Sequence, residues 1–130
     1  MRILFPLIAA ALSLNAESGT LTIHMILHAI GEERYEIAPA DGGLTLNTVF
    51  EYSDRGNKRT TTVMLRRKRD FTPMDFQVKD RPTSVHVRDE SPSKNVTVKE
   101  DDAERTFAVP ASYFTIFGPS PFAVQMMMMR

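Results

Sequence analysis

The chain of 130 residues carries 16 basic and 16 acidic side chains, with no cysteine and no tryptophan. That length holds one domain's core and leaves no room for a second. The balanced charge exerts no long-range pull on nucleic acid, and the lack of cysteine removes disulfides, thiolate metal sites and thiol nucleophiles together.

Residues 1–16 read as a secretory signal peptide. Arg2 precedes the apolar run from Ile3 to Leu14, and Leu14-Asn15-Ala16 offers a small residue for cleavage before Glu17. The run is shorter than the roughly 20 apolar residues that cross a bilayer. The expected product is a secreted or periplasmic domain, residues 17–130, with no membrane span. An exported domain without cysteine must draw its stability from its core and strand pairing, which favours a bacterial periplasm or medium over a eukaryotic secretory route.

From Thr20 onward the period is two almost everywhere. Leu21, Ile23, Met25, Leu27 and Ala29 alternate with Thr20, Thr22, His24, Ile26 and His28, as in a half-buried strand. Gly31 permits a bend, and extension resumes from Arg34 to Ile37 with Tyr35 and Ile37 on one face. Asp41-Gly42-Gly43 is a turn, after which Leu44, Leu46, Thr48, Phe50 and Tyr52 share one side of the clearest strand in the chain. Ser53-Asp54-Arg55-Gly56-Asn57 turns the chain into a hairpin partner from Thr60 to Arg67.

Pro73 makes the start of Phe71 to Lys79 an edge or a bend, while Met74, Phe76 and Val78 keep the alternation. Arg81-Pro82 and Pro92-Ser93-Lys94-Asn95 bracket a short strand at Val85 and Val87. Val96 and Val98 start the next strand, Glu100 to Glu104 is an acidic turn, and Phe107 and Val109 carry the last strand. Gly118-Pro119-Ser120-Pro121 then stops the pattern and starts a helix of about ten residues, with Ser120 as N-cap, Pro121 as first helical residue, and Phe122, Met126 and Met129 on its apolar face. The fold expected is mainly β, a single antiparallel sheet of about eight short strands, curled into a half-barrel or closed, with a short C-terminal helix. No βαβ pattern is present, which excludes dinucleotide-binding folds.

Candidate chemistry is sparse. On a helix, His24 and His28 would share a face and could hold a metal; on a strand their side chains stand about 13 Å apart, so they read as surface or rim histidines, as does His86 between Val85 and Val87. No metal or cofactor is implied. Arg55, Lys58, Arg59, Arg66, Arg67, Lys68 and Arg69 form a basic run without an intervening acid. It reads as a solvated hairpin that guards a sheet edge, with contact to anionic headgroups at a membrane surface as the alternative. Glu100, Asp101, Asp102 and Glu104 lack the spacing and glycine of a calcium loop. Asp75 and Asp80 have no readable geometry for glycoside hydrolysis, and Ser53, Ser84, Ser91 and Ser112 lack a nucleophile elbow.

Two phrases, Ala29-Ile30-Gly31-Glu32-Glu33-Arg34-Tyr35-Glu36-Ile37 and Arg69-Asp70-Phe71-Thr72-Pro73-Met74-Asp75-Phe76, together with the hairpin between them, resemble a β-rich region at the front of some secreted bacterial hydrolases, amidohydrolase-like or peptidase-like. The run of strands is also similar to the curled sheets of periplasmic lipoprotein-carrier-type and uncharacterised exported families. The hydrolase resemblance implies a metal-dependent catalytic domain beyond residue 130 and carries no catalytic residue onto this chain.

The expected function is that of an exported, non-catalytic binding domain whose concave face meets an apolar ligand or a partner domain. Phe50, Tyr52, Phe76, Phe107, Tyr113 and Phe114 are the residues expected on that face. The alternative is the N-terminal part of a secreted hydrolase whose C-terminal catalytic domain supplies the chemistry. The terminal helix favours continuation, because Met126 to Arg130 ends without a stop signal and four consecutive methionines cannot all be buried by one sheet.

Overall fold

The computed structural model describes residues 16–80, 83–89, 94–115 and 121–129. The leader at residues 1–15, the Arg81-Pro82 and Pro92-Ser93 brackets, Ser91 and the Ser120 cap lie outside the described residues. Eight strands, β1 Glu17–Met25, β2 His28–Ala40, β3 Gly43–Asp54, β4 Asn57–Lys68, β5 Pro73–Asp80, β6 Thr83–Asp89, β7 Asn95–Glu100 and β8 Ala103–Ala108, precede one helix, α1 Phe122–Met129. Each strand pairs antiparallel with the next, so spatial order equals chain order and the sheet stays open, with β1 and β8 as its two edges. Of the half-barrel and closed alternatives, the unclosed one holds.

The pleat sorts the side chains as alternation dictates. One continuous row across the sheet runs Ile37, Leu46, Leu65, Phe76, Val87 and Val98; a parallel row runs Tyr35, Thr48, Val63, Val78 and Val85. These rows form the core, and Ala123, Val124 and Met127 of α1 complete it. Helix and sheet therefore make two layers, the minimum that buries an apolar sheet face.

Four expectations need correction. The stretch from Thr20 to Ala29 is not one strand but two: Met25 pairs with His28 across a two-residue turn at Ile26-Leu27, and the register slips between Ile23 and His24. Gly31 is no bend but lies within β2, where an added Cβ would collide with the Glu51 carbonyl and with Tyr52 on β3. The basic run does not guard an edge, because β4 lies between β3 and β5. Its charges separate, Arg55, Lys58 and Arg59 to one end of β4 and Arg66 to Arg69 to the other, with Arg59 and Arg66 roughly 23 Å apart along the strand. The buried face of α1 is Ala123, Val124 and Met127, whereas Phe122 is 46% and Met129 76% exposed.

Pro73 opens β5 beside the register shift at Arg66 and Arg67, the kind of strand-start position that proline tolerates. The expected bend is there, but β5 is an interior strand.

Candidate apolar site and buried carboxylate

The aromatic residues expected on the concave face fall into two groups. Phe50 and Tyr52 sit together on β3, ring centroids 5.1 Å apart and tilted by 55°. Phe76, Phe107, Tyr113 and Phe114 gather on the same face farther across the sheet, towards its β8 edge, around a cavity of about 290 Å³. The structure brings these four together and leaves Phe50 and Tyr52 outside the cavity.

The cavity floor follows from the strand pattern. Phe76 on β5, Val85 and Val87 on β6, Val96 and Val98 on β7 and Phe107 on β8 all project to the same face. The segment after β8 supplies the remaining wall through Val109, Tyr113 and Phe114, tied down where Val109 N–H donates to the Lys94 carbonyl at 3.0 Å and Tyr113 O–H donates to the Pro73 carbonyl at 3.4 Å. Burial, reinforced by the charge of Asp89 and a hydrogen bond to it, pushes the Tyr113 phenol up to about 12. Phe107 keeps 49% of its surface exposed, so the β8 side of the cavity is open to solvent. Larger hollows lie elsewhere: one of about 480 Å³ with a mixed wall that includes Ser18, Thr20, Tyr35 and Val49, one of about 810 Å³ that borders Lys58, Arg59, Lys79 and Asp80, and one of about 410 Å³ that borders Gly42, Lys68, Asp70 and Met74.

Sequence reasoning passed over Glu33, which the structure makes the polar centre of the core. It is fully buried on β2, and its Oε2 accepts the Phe122 N–H at 2.7 Å while Oε1 accepts the Ala123 N–H at 3.0 Å and the Thr48 hydroxyl at 2.8 Å. Helix N-termini leave such amides without intrahelical partners. Here a carboxylate 89 residues away in sequence from Phe122 caps them and, as an anion acceptor at the positive end of the helix dipole, fixes where α1 sits on the sheet. The signal was present in the alternation, since Glu33 shares parity with Tyr35 and Ile37.

The remaining candidates resolve into surface features. His24 and His28 are exposed on either side of the β1–β2 turn. On the opposite face from the core, His86 Nε2 lies 2.6 Å from Asp75 Oδ1, with Arg66 and Arg88 facing Asp75 from the flanking strands. Asp75 and Asp80 stand five residues apart on β5, roughly 16 Å along the strand and on opposite faces, too distant for a glycosidase pair. Asp101 Oδ1 accepts the Ser84 N–H at 2.9 Å and its own N–H donates to the Ser84 carbonyl at 2.9 Å, so the acidic turn ties β7–β8 to β6. Among the described residues no three histidine, aspartate or glutamate side chains converge as a metal site, and no helix is long and apolar enough to cross a membrane. Compared with known proteins, the chain matches no family model, no curated protein and no solved structure.

Proposed function

We propose that this chain is an exported, non-catalytic binding domain that takes a small apolar ligand, or one apolar group of a larger molecule, into the cavity beneath Phe107, Tyr113 and Phe114. The observation that carries this reading is the cavity itself: a hollow of about 290 Å³ walled mostly by valine and phenylalanine, with Tyr113 and Thr115 at its polar edge. Its size lies at the lower end of ligand pockets. Its walls offer burial of apolar surface and no acid, base or nucleophile arranged for chemistry. Export would free Glu17, the first residue of β1.

Fluorescence titration with N-phenyl-1-naphthylamine, an uncharged apolar probe, tests the assignment. Binding is expected to saturate at one probe per chain. Phe107→Asp, at a half-exposed position that the fold does not need buried, is expected to weaken it at least about tenfold with an unchanged circular dichroism spectrum, and Val49→Ala on the opposite face is expected to leave it as it was. Saturable binding untouched by Phe107→Asp would contradict the placement.

A second reading rests on a separate observation. Phe122, Met128 and Met129 leave the outer side of α1 apolar and exposed, a surface that a further domain would cover. This supports the reading of the chain as the front part of a secreted hydrolase. The genomic reading frame past Arg130 tests it, and an immediate stop codon would end it.

A further inference from the structure

The turn between β1 and β2 breaks the rule that the other two-residue turns among the described residues obey. Asp41-Gly42, Arg55-Gly56 and Asp101-Asp102 put charge or glycine at their tips, as tight turns favour. The β1–β2 turn instead presents Met25, Ile26 and Leu27, at 57%, 90% and 86% exposure. Ile26 also has a φ of 56°, a backbone conformation that a β-branched side chain adopts at a cost. Neither the fold nor the turn chemistry calls for an isoleucine here, and strained, solvated apolar residues at a loop tip point to a function.

The meander decides what lies beside it. Alternate turns fall at the same end of an antiparallel sheet, so the Ile26-Leu27 tip has the Arg55-Gly56 tip of the neighbouring β3–β4 hairpin beside it, while the acidic Asp101-Asp102 tip of β7–β8 lies at the same end but at the far edge of the sheet. That hairpin carries exposed Arg55, Lys58 and Arg59, with Asp54 at its turn and Glu51 bound to Lys58 at 3.3 Å. An aliphatic tip with cationic side chains set on the next hairpin matches the layered chemistry of a bilayer surface, where acyl chains lie beneath anionic headgroups.

We propose that the Met25-Ile26-Leu27 tip is a membrane-contact element, which inserts its aliphatic side chains among the acyl chains of an anionic bilayer while Arg55, Lys58 and Arg59 meet the headgroups. The tip and the basic residues of the neighbouring hairpin are separate from the cavity and do not depend on what fills it.

The chain has no tryptophan, so Leu27→Trp installs a single reporter at the tip. Vesicles containing phosphatidylglycerol are expected to shift its emission to the blue and to expose it to quenching by lipids brominated high on the acyl chain. Pure phosphatidylcholine vesicles and high salt are expected to weaken the shift. In the chain without the reporter, Ile26→Gly together with Leu27→Asn gives the turn a sequence that tight hairpins prefer. That double variant is expected to stay folded and to lose at least about tenfold in partitioning onto the same vesicles, as loss of two buried aliphatic side chains implies. Reporter emission unchanged by vesicles would overturn the proposal. So would a blue shift that depends on protein concentration without lipid, which would assign the tip to contact with a second copy of the chain.

Discussion

Glu33 accepts three hydrogen bonds inside the core, two of them from the first two amides of α1. Glu33→Gln keeps the shape but turns one acceptor into a donor facing a donor. A buried polar group left unmatched costs about 1–3 kcal/mol, so denaturant unfolding of Glu33→Gln is predicted to show a loss in that range. A loss below about 0.5 kcal/mol would contradict the capping role. Tyr113 makes a different prediction. Its phenol ionises near 10.0 when the chain is unfolded and is pushed up to about 12 in the fold. Between those values the unfolded phenol has released its proton and the folded one retains it, so this contribution is complete below pH 10 and disappears as pH rises through 12. Stability measured across pH 10–12 is predicted to fall less steeply in Tyr113→Phe than in the parent chain.

The helix is the element whose sequence signal misled. Spacing at i, i+4 and i+7 marks Phe122, Met126 and Met129 as one face, but every position of Phe122-Ala123-Val124-Gln125-Met126-Met127-Met128-Met129 except Gln125 is apolar, so periodicity cannot choose among faces. The choice is made by Glu33, which grips the helix N-terminus and turns Ala123, Val124 and Met127 onto the sheet. Met127→Ala is therefore predicted to cost about 2–5 kcal/mol as a core truncation. Met129→Ala is predicted to change stability by less than about 0.5 kcal/mol, as an exposed site should. Equal costs would restore the face read from spacing.

The β1–β2 hairpin was hidden for a related reason. Odd-numbered residues face the core on β1 as far as Ile23 and on β2 from Gly31 onward, and the turn between the strands is made of Ile26 and Leu27 in place of glycine or asparagine. Neither the alternation nor the turn vocabulary marks a break there. The strands from Gly43 onward were legible because their turns contain Gly42, Gly56 or paired acids and their alternation is clean.

At the scale of the whole molecule, strand succession and turn placement determine a meander in which each strand meets its chain neighbours, and the core rows follow from parity. What parity cannot give is how the two ends of such a sheet are covered. That depends on α1 and on the segment from Val109 to Thr115, both placed by contacts distant in sequence, such as Tyr113 with Pro73 and Phe122 with Glu33. The candidate site was legible to the same extent: all six aromatic residues have the right composition for an apolar face, but only Phe76, Phe107, Tyr113 and Phe114 meet around one hollow.

Methyl-resolved nuclear magnetic resonance of the valine-labelled chain during titration with N-phenyl-1-naphthylamine shows whether this hollow receives an apolar group. Saturable shifts are expected at the methyl groups of Val85, Val87, Val96, Val98 and Val109, with Val49 unmoved. Saturation accompanied by shifts elsewhere and none at these five valines would contradict the assignment.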